Sequence, residues 1–150
     1  MEAYYPPTNF YFKVSISGVN ANVDYAFQEV SGLNVEMAFE EIAEGGENRF
    51  KHKVPSGIKQ TNLVLKRGFV TSDSKIAEWC KKTVFSDLSA KIETKDIAVL
   101  LLNPSGKAIM TWVFTGAWPV KWSFTDLESS KGEIMIESIE LAYKYLKLGN

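Results

Sequence analysis

The chain has 150 residues, of which 45% are hydrophobic, 13% are aromatic and 23% are charged. This length and composition predict one folded domain with a core of its own and argue against a disordered polymer. The formal net charge of −1 provides no basic surface for nucleic acid, and the single cysteine excludes both an internal disulfide framework and a metal site built from cysteines.

The amino-terminal residues, 1–12, contain no basic segment followed by an apolar one, so the sequence predicts no secretory signal. No uninterrupted apolar run approaches the ~20 residues that a membrane-spanning helix needs. We therefore expect the chain to be made in the cytoplasm and not to insert into a membrane as a monomer.

Alternating apolar residues predict strands in the first half of the chain. Residues 10–16 alternate with a period of two, and residues 27–30 begin a second strand. The clearest alternation covers residues 33–39, and its phase breaks at Glu41–Ile42, which indicates a bulge or the end of the strand. The alternation resumes over residues 63–69.

The segment between the last two strands, residues 43–57, is polar and long for a connection. Gly45–Gly46 allows a tight reversal, and Pro55–Gly57 predicts a second turn. Loops of this length inside compact domains are usually functional or disordered. We interpret residues 43–57 as an arm that leaves the domain to contact a neighbouring copy.

Charge is unevenly distributed along the chain. Residues 1–50 contain eight acidic and two basic side chains, whereas residues 51–100 contain ten basic and five acidic ones. Opposite patches on one small domain would suit head-to-tail association of copies. The sequence supports equally the alternative in which the two patches pair within one monomer.

Residues 73–85 are predicted to form the one helix. Ile76, Trp79 and Cys80 fall on a single face at helical spacing, so this face is expected to be buried. Ser72 or Asp73 is expected to cap the first turn.

The second half of the chain predicts further strands. The Asn-Pro-Ser-Gly sequence at 103–106 matches a type I turn, and the apolar residues around it predict a hairpin over residues 97–115. Pro119 places its segment at a sheet edge or bend. Residues 134–148 favour a helix by composition and a strand by alternation, and the alternation favours a strand. Together these patterns predict about seven strands and one helix.

No pattern in the chain predicts an enzyme. His52 is the only histidine and lies in the polar arm, while Cys80 belongs to the apolar helix face, so no nucleophile–base pair is expected. The acidic residues of 36–47 lack the spacing of a calcium loop, and Gly45–Gly46 is not followed by the lysine of a phosphate loop. Four tryptophans at strand spacing are more typical of a core or an interface than of a ligand pocket. We expect no catalytic residue, cofactor or metal.

Six short motifs follow one another in a recognisable order. They are Phe10-x-Phe12-x-Val14, Phe27-Gln28-Glu29-Val30-Ser31-Gly32-Leu33, Glu44-Gly45-Gly46-Glu47-Asn48, Asn62-Leu63-Val64-Leu65-Lys66-Arg67-Gly68, Trp118-Pro119-Val120-Lys121-Trp122 and Ile136-Glu137-Ser138-Ile139-Glu140-Leu141. Together they resemble the tail tube proteins of contractile phage tails and, most closely, the inner tube proteins of extracellular contractile injection systems. The resemblance covers nearly the whole chain.

This resemblance implies a single tail-tube domain over residues 1–150, mainly β with one helix, arranged as a two-sheet β-sandwich or β-barrel of about seven strands. Six copies would form a hexameric ring whose inner sheets join into a continuous barrel, and rings would stack into a hollow tube that a contracting sheath drives through a target envelope. The implied partners are the chain itself, the sheath protein, baseplate and terminal cap proteins, and cargo in the lumen. The particle would be phage tail-like, and either cytoplasmic or released.

The resemblance also places contacts between subunits in the arm, residues 43–57. The candidate interface residues are Glu44, Glu47, Asn48, Arg49, Phe50, Lys51, His52 and Lys53. Two alternatives stay open: a ring adaptor that initiates or caps the tube at the baseplate, and a monomeric β-barrel that binds a ligand between its tryptophans.

Overall fold

Antiparallel strands dominate the described part of the chain. The computed structural model describes residues 11–18, 27–43, 51–68, 74–89, 91–125 and 135–149. The elements are β1 (Tyr11–Ile16), β2 (Glu29–Ser31), β3 (Val35–Ala43), β4 (Lys51–Gln60), β5 (Leu63–Arg67), α1 (Lys75–Val84), β6 (Lys95–Leu102), β7 (Ala108–Phe124), β8 (Glu137–Ala142) and β9 (Tyr145–Gly149). The prediction of a mainly β fold with one helix is confirmed for these residues.

Seven of these strands form one sheet in the order β1-β6-β7-β8-β5-β2, with β9 added to β7. The long strand β7 takes the sheet around a bend, because its first half pairs with β6 and β9 and its second half pairs with β8. Gly116 lies between the halves with φ of 68°, a left-handed conformation that glycine adopts without strain. The predicted count of about seven strands is confirmed for this sheet.

Local sequence signals fix the hairpin of β6 and β7. The N–H of Gly106 donates to the carbonyl of Asn103 at 2.9 Å, and the side-chain oxygen of Asn103 accepts from the N–H of Ser105 at 3.1 Å. Pro119 lies where the register between β7 and β8 shifts, which is a position that tolerates a residue without an N–H group. Both the predicted turn and the predicted bend are therefore confirmed.

The core lies between the two halves of the sheet and α1. Its buried hydrophobic residues come from β1, β5, β6, β7, β8, the helix and the segment before β2, and they are Val14, Ile16, Phe27, Leu63, Leu65, Ile76, Trp79, Cys80, Ile97, Val99, Phe114, Ala117, Ile139 and Leu141. The predicted burial of Ile76, Trp79 and Cys80 on one helix face is confirmed. The predicted cap is wrong: Ser74 caps the helix, because its Oγ accepts from the N–H of Ala77 at 3.0 Å.

The buried side chain of Arg67 connects the helix cap to the sheet. Nε of Arg67 donates to Oε1 of Glu137 at 3.2 Å, and its guanidinium also donates to Oγ of the capping Ser74 at 2.7 Å. The side chains of Arg67 and Glu137 are 2% and 0% exposed. Three elements, β5, β8 and the first turn of α1, are therefore held together by charge-assisted hydrogen bonds.

The carboxy-terminal run is a strand, as its alternation predicted, but it is divided in two. β8 and β9 are separated at Tyr143–Lys144, where the N–H of Lys144 donates to the carbonyl of Thr115 at 2.9 Å. The division lets β8 pair with the second half of β7 while β9 pairs with the first half.

Candidate interaction surface

β3 and β4 form a hairpin that is a two-stranded sheet of its own, separate from the seven-stranded one. Every residue of β4 is exposed, and in β3 every residue but Ala38 is exposed. The large hydrophobic side chains among them are 41–62% exposed, and they are Val35, Met37, Phe39, Ile42, Val54 and Ile58. Grouped apolar exposure of this kind marks an interaction surface.

The hairpin is longer and more regular than the arm predicted from the sequence. Its described strands begin at Val35 and end at Gln60, so they extend beyond the predicted arm at both ends. The bulge or strand end predicted at Glu41–Ile42 is wrong, because both residues are paired with β4, although the change of phase that suggested it does place Ile42 on the opposite face from Phe39. The predicted turn at Pro55–Gly57 is also wrong, because these residues lie within β4, where a register shift accommodates them.

Charges on the two strands of the hairpin offset each other. Its described residues include three acidic side chains, all in β3, and three basic ones, all in β4. Nζ of Lys51 lies 3.8 Å from Oε2 of Glu41, and Glu41 is directly opposite Lys53. Lys53 also lies over the ring of Phe39, 5.1 Å from its centroid. Within the hairpin, the structure thus favours pairing inside the monomer over two opposite patches.

Three of the predicted interface residues, Lys51, His52 and Lys53, are exposed in β4. The two lysines share one face of the hairpin, and His52 lies on the other face opposite Ile42. The remaining five, Glu44, Glu47, Asn48, Arg49 and Phe50, lie outside the described residues. Sequence reasoning missed the apolar part of this surface, although the alternation of residues 33–39 was the available signal.

The base of the hairpin borders a shallow apolar groove of about 260 Å³, lined by Leu33, Val35, Trp112, Leu146 and Leu148. Leu148 is 64% exposed and belongs to β9, which pairs with β7 along one edge. Among the described strands, none pairs with the other edge of β9. The apolar surface of the hairpin is therefore continuous with a strand that has hydrogen-bonding groups available.

The carboxy-terminal end of α1 forms a second exposed apolar patch. Phe85 and Leu88 are 70% and 78% exposed, and Phe124 is 41% exposed. Trp122 lies between Phe85 and Phe124, with ring centroids 5.8 Å and 5.0 Å away. Leu88 has φ of 63°, a conformation that is uncommon for a residue with a side chain.

Three of the four tryptophans lie in different parts of the fold and do not surround a common interior. Nε1 of Trp79 donates to the carbonyl of Glu93 at 2.8 Å beside the helix, Trp112 lies at the base of the hairpin, and Trp122 lies in the helix-end patch. The described residues contain no cluster of histidine, cysteine or carboxylate side chains placed to bind a metal. No helix among them is long and apolar enough to cross a membrane.

Three solved structures with this fold are chains of the anti-feeding prophage and of the PVC extracellular contractile injection system. A chain in the six-fold symmetrised baseplate of the anti-feeding prophage is 23% identical, with a TM-score of 0.79 over 100% of this chain and 98% of its own. A chain in the extended sheath–tube complex of the PVC extracellular contractile injection system is 24% identical, with a TM-score of 0.77 over 97% and 92%. A chain in the tube-terminating cap of the anti-feeding prophage is 21% identical, with a TM-score of 0.80 over 100% and 95%.

These similarities show that the chain shares the fold of those chains. The profile of one family, the T4-like virus tail tube protein gp19, matches residues 8–147. The chain therefore belongs to this tail tube family, and the resemblance seen in its motifs is confirmed. No curated protein sequence matches it.

Proposed function

We propose that the chain is the structural, non-enzymatic protomer of the inner tube of a contractile injection apparatus. Six copies form a ring, rings stack into a rigid hollow tube, and a contracting sheath drives the tube through a target envelope while cargo occupies the lumen. The observation that supports this most strongly is an exposed apolar hairpin on a member of the tail tube family.

Two surfaces of the chain are unfavourable in a monomer, because they expose apolar side chains and unpaired main-chain groups to water. The hairpin exposes six large hydrophobic side chains, and β9 presents a strand edge beside them. Association with other copies would bury the hydrophobic surface and add main-chain hydrogen bonds at sheet edges. If the sheets of six copies join edge to edge, they close into the barrel that surrounds the lumen.

The proposed contacts between copies lie along the hairpin and its tip. They include Lys51, His52 and Lys53, which are exposed, and extend to the predicted residues Glu44, Glu47, Asn48, Arg49 and Phe50. The apolar residues of the hairpin supply most of the buried area, and the charged residues set the alignment of neighbouring copies.

The proposed partners follow from the particles in which similar chains occur. Those chains are found with a sheath, in a baseplate and in a cap, so we propose sheath, baseplate and cap proteins as the partners of this chain. The assembled particle is either retained in the bacterial cytoplasm or released from the cell.

A second candidate function is a ring adaptor that initiates or caps the tube. The fold is as similar to chains in a baseplate and in a cap as to a chain in a sheath–tube complex, and this observation favours the adaptor as much as the tube. The family match favours the tube.

Negative-stain electron microscopy of the purified protein across a concentration series separates these candidates. A tube protomer is expected to give stacked rings that lengthen as concentration rises. An adaptor is expected to give single rings that do not lengthen. Particles no larger than a monomer at every concentration would contradict both functions and favour the ligand-binding alternative.

A further inference from the structure

One face of the hairpin's base half is apolar. Its members alternate along β3 or lie opposite those residues in β4, and they are Val35, Met37, Phe39, Pro55 and Ile58. We name these five residues the base face. Met37 is 56% exposed and Ile58 is 62% exposed. On the other side of the hairpin at the same level, Glu36 lies opposite Lys59, so that side is polar.

The tip half of the hairpin shows the reverse arrangement. Glu41 and Lys53 lie directly opposite each other on the side that continues the base face. Ile42 and Val54 lie on the opposite side, where they are 49% and 41% exposed. We name Ile42 and Val54 the tip face. The apolar side of the hairpin therefore changes from one face to the other along its length.

Two features produce this change. In β3 the apolar pattern itself changes phase, since Phe39 and Ile42 are three residues apart and therefore lie on opposite faces, and in β4 a β-bulge brings Val54 to the face of Ile42. Ala38 is opposite Gly57 and Phe39 is opposite Pro55, so Ser56 is an extra residue without a counterpart in β3. Because side chains alternate with a period of two, one extra residue reverses the orientation of the β4 residues beyond it relative to those before it. Without the bulge, Val54 would share a face with Ile58.

A hairpin that lies flat on one neighbour buries one face and leaves the other in water. The base face and the tip face point in opposite directions, so both are buried only if the hairpin is covered from two sides. On the basis of the proposed tube function, we propose that each hairpin is held between two other copies of the chain. One copy covers the base face and a second copy covers the tip face.

Charge and continuity identify the occupants as copies of this chain. The described hairpin residues include three acidic and three basic side chains, and the whole chain has a net charge of −1. Such a surface has little field to attract a strongly acidic or basic partner, but it is compatible with another nearly neutral copy. Val35 of the base face also lines the groove beside β9, so the copy on that side can contact both the hairpin and the free strand edge.

Photo-crosslinking tests this arrangement directly. A benzoylphenylalanine is placed at Phe39 in the base face, at Ile42 in the tip face, or at both, and each labelled chain is assembled with a large excess of unlabelled chain. Each single label is expected to give a covalent dimer on a denaturing gel, and the double label is expected to give a covalent trimer as well. The same label at Lys59, on the polar side of the base half, is the matched control and should crosslink several-fold less.

The outcomes separate this proposal from the tube function. If rings or tubes form but the double label gives dimers only, one copy covers the whole hairpin and the two-copy arrangement is wrong while the tube function stands. If the unlabelled protein remains monomeric and no label gives a dimer, the tube function is wrong and this proposal is wrong with it.

Discussion

Arg67 shows how a single buried charge can determine stability. Its guanidinium is 2% exposed, and its ion pair with Glu137 lies between β5 and β8. We expect Glu137→Gln to lower the free energy of unfolding by about 3–5 kcal/mol, because it removes the buried carboxylate charge that faces the Arg67 guanidinium. Chemical denaturation of the dissociated protein measures this change.

The matched control for that substitution is Glu140→Gln on the same strand. Glu140 is only half-buried and accepts a hydrogen bond from the side chain of Asn62 at 3.0 Å. Because the amide oxygen of glutamine can still accept this hydrogen bond, Glu140→Gln should cost no more than the usual contribution of one hydrogen bond, about 0.5–1.5 kcal/mol. Equal effects of the two substitutions would show that the buried pair has no special role.

Ionisation of Tyr143 is expected to lower the stability of the fold at high pH. Burial raises the pKa of its phenol above the ordinary value of 10.0, and the hydroxyl donates to the carbonyl of Thr61 at 3.0 Å. The neutral phenol therefore stabilises the folded state fully below the ordinary pKa, and this contribution is lost as pH rises through the folded-state pKa. Between about pH 9 and pH 11, wild type should lose more unfolding free energy than Tyr143→Phe. Parallel curves for the two proteins would contradict this account.

At the residue scale, the sequence pattern predicts that Arg67 is buried, but it does not predict which residue neutralises its charge. The alternation of β5 puts Arg67 on the same buried face as Leu63 and Leu65. Its partner Glu137 is distant in the chain, and a pairing between strands that far apart is not visible in local pattern. The helix cap was missed for a similar reason, because three neighbouring residues at 72–74 are all good caps and Arg67 contacts the one that is used.

At the element scale, the alternation of β3 identified a strand but not what covers it. Period-two alternation predicts that one face is apolar, and it is the same whether that face meets the core or another molecule. The bulge at Ser56 was also missed, because Pro55–Gly57 contains residues that favour turns and bulges alike. The extent of the hairpin and the shift in β4 that places Val54 on the face of Ile42 therefore required the structure.

The hairpin should be dispensable for folding and necessary for assembly. Replacing residues 35–60 with a short glycine–serine linker leaves β2 and β5 as direct antiparallel neighbours, since Glu29 pairs with Lys66 and Ser31 with Val64. We expect a thermal unfolding midpoint within about 5 °C of wild type, a shift of roughly 1 kcal/mol or less for a domain of this size, and no stacked rings by electron microscopy. Tubes of normal appearance from this variant would show that assembly uses another surface.

Charge reversal on the hairpin tests how its ion pairs act. The double substitution Lys51→Glu and Lys53→Glu places like charges beside Glu41, so assembly should be impaired, more at low salt than at high salt. Adding Glu41→Lys should restore assembly if the charges pair within one hairpin. Lys107→Glu, in the exposed turn between β6 and β7, is the matched control. If the impairment of assembly does not change with salt concentration, repulsion between the hairpin charges is not its cause.

At the scale of the whole molecule, the fold class followed from the sequence because its signals are local. The turn at 103–106, the apolar helix face and the alternation of the last strands each required only a few neighbouring residues. The order of strands in the sheet depends on pairings between distant segments, as when β5 pairs with β8, and local pattern does not contain that information. The family motifs implied a two-sheet sandwich or barrel of about seven strands but no strand order, and the family match covers residues 8–147.

The mass of the assembled particle tests the central claim most directly. If each chain is completed only by other copies, mass photometry of the purified protein should show a species at six times the 16.8 kDa chain mass, with larger species at multiples of that ring. A single species at the mass of one chain, unchanged as concentration rises to the highest soluble level, would contradict it.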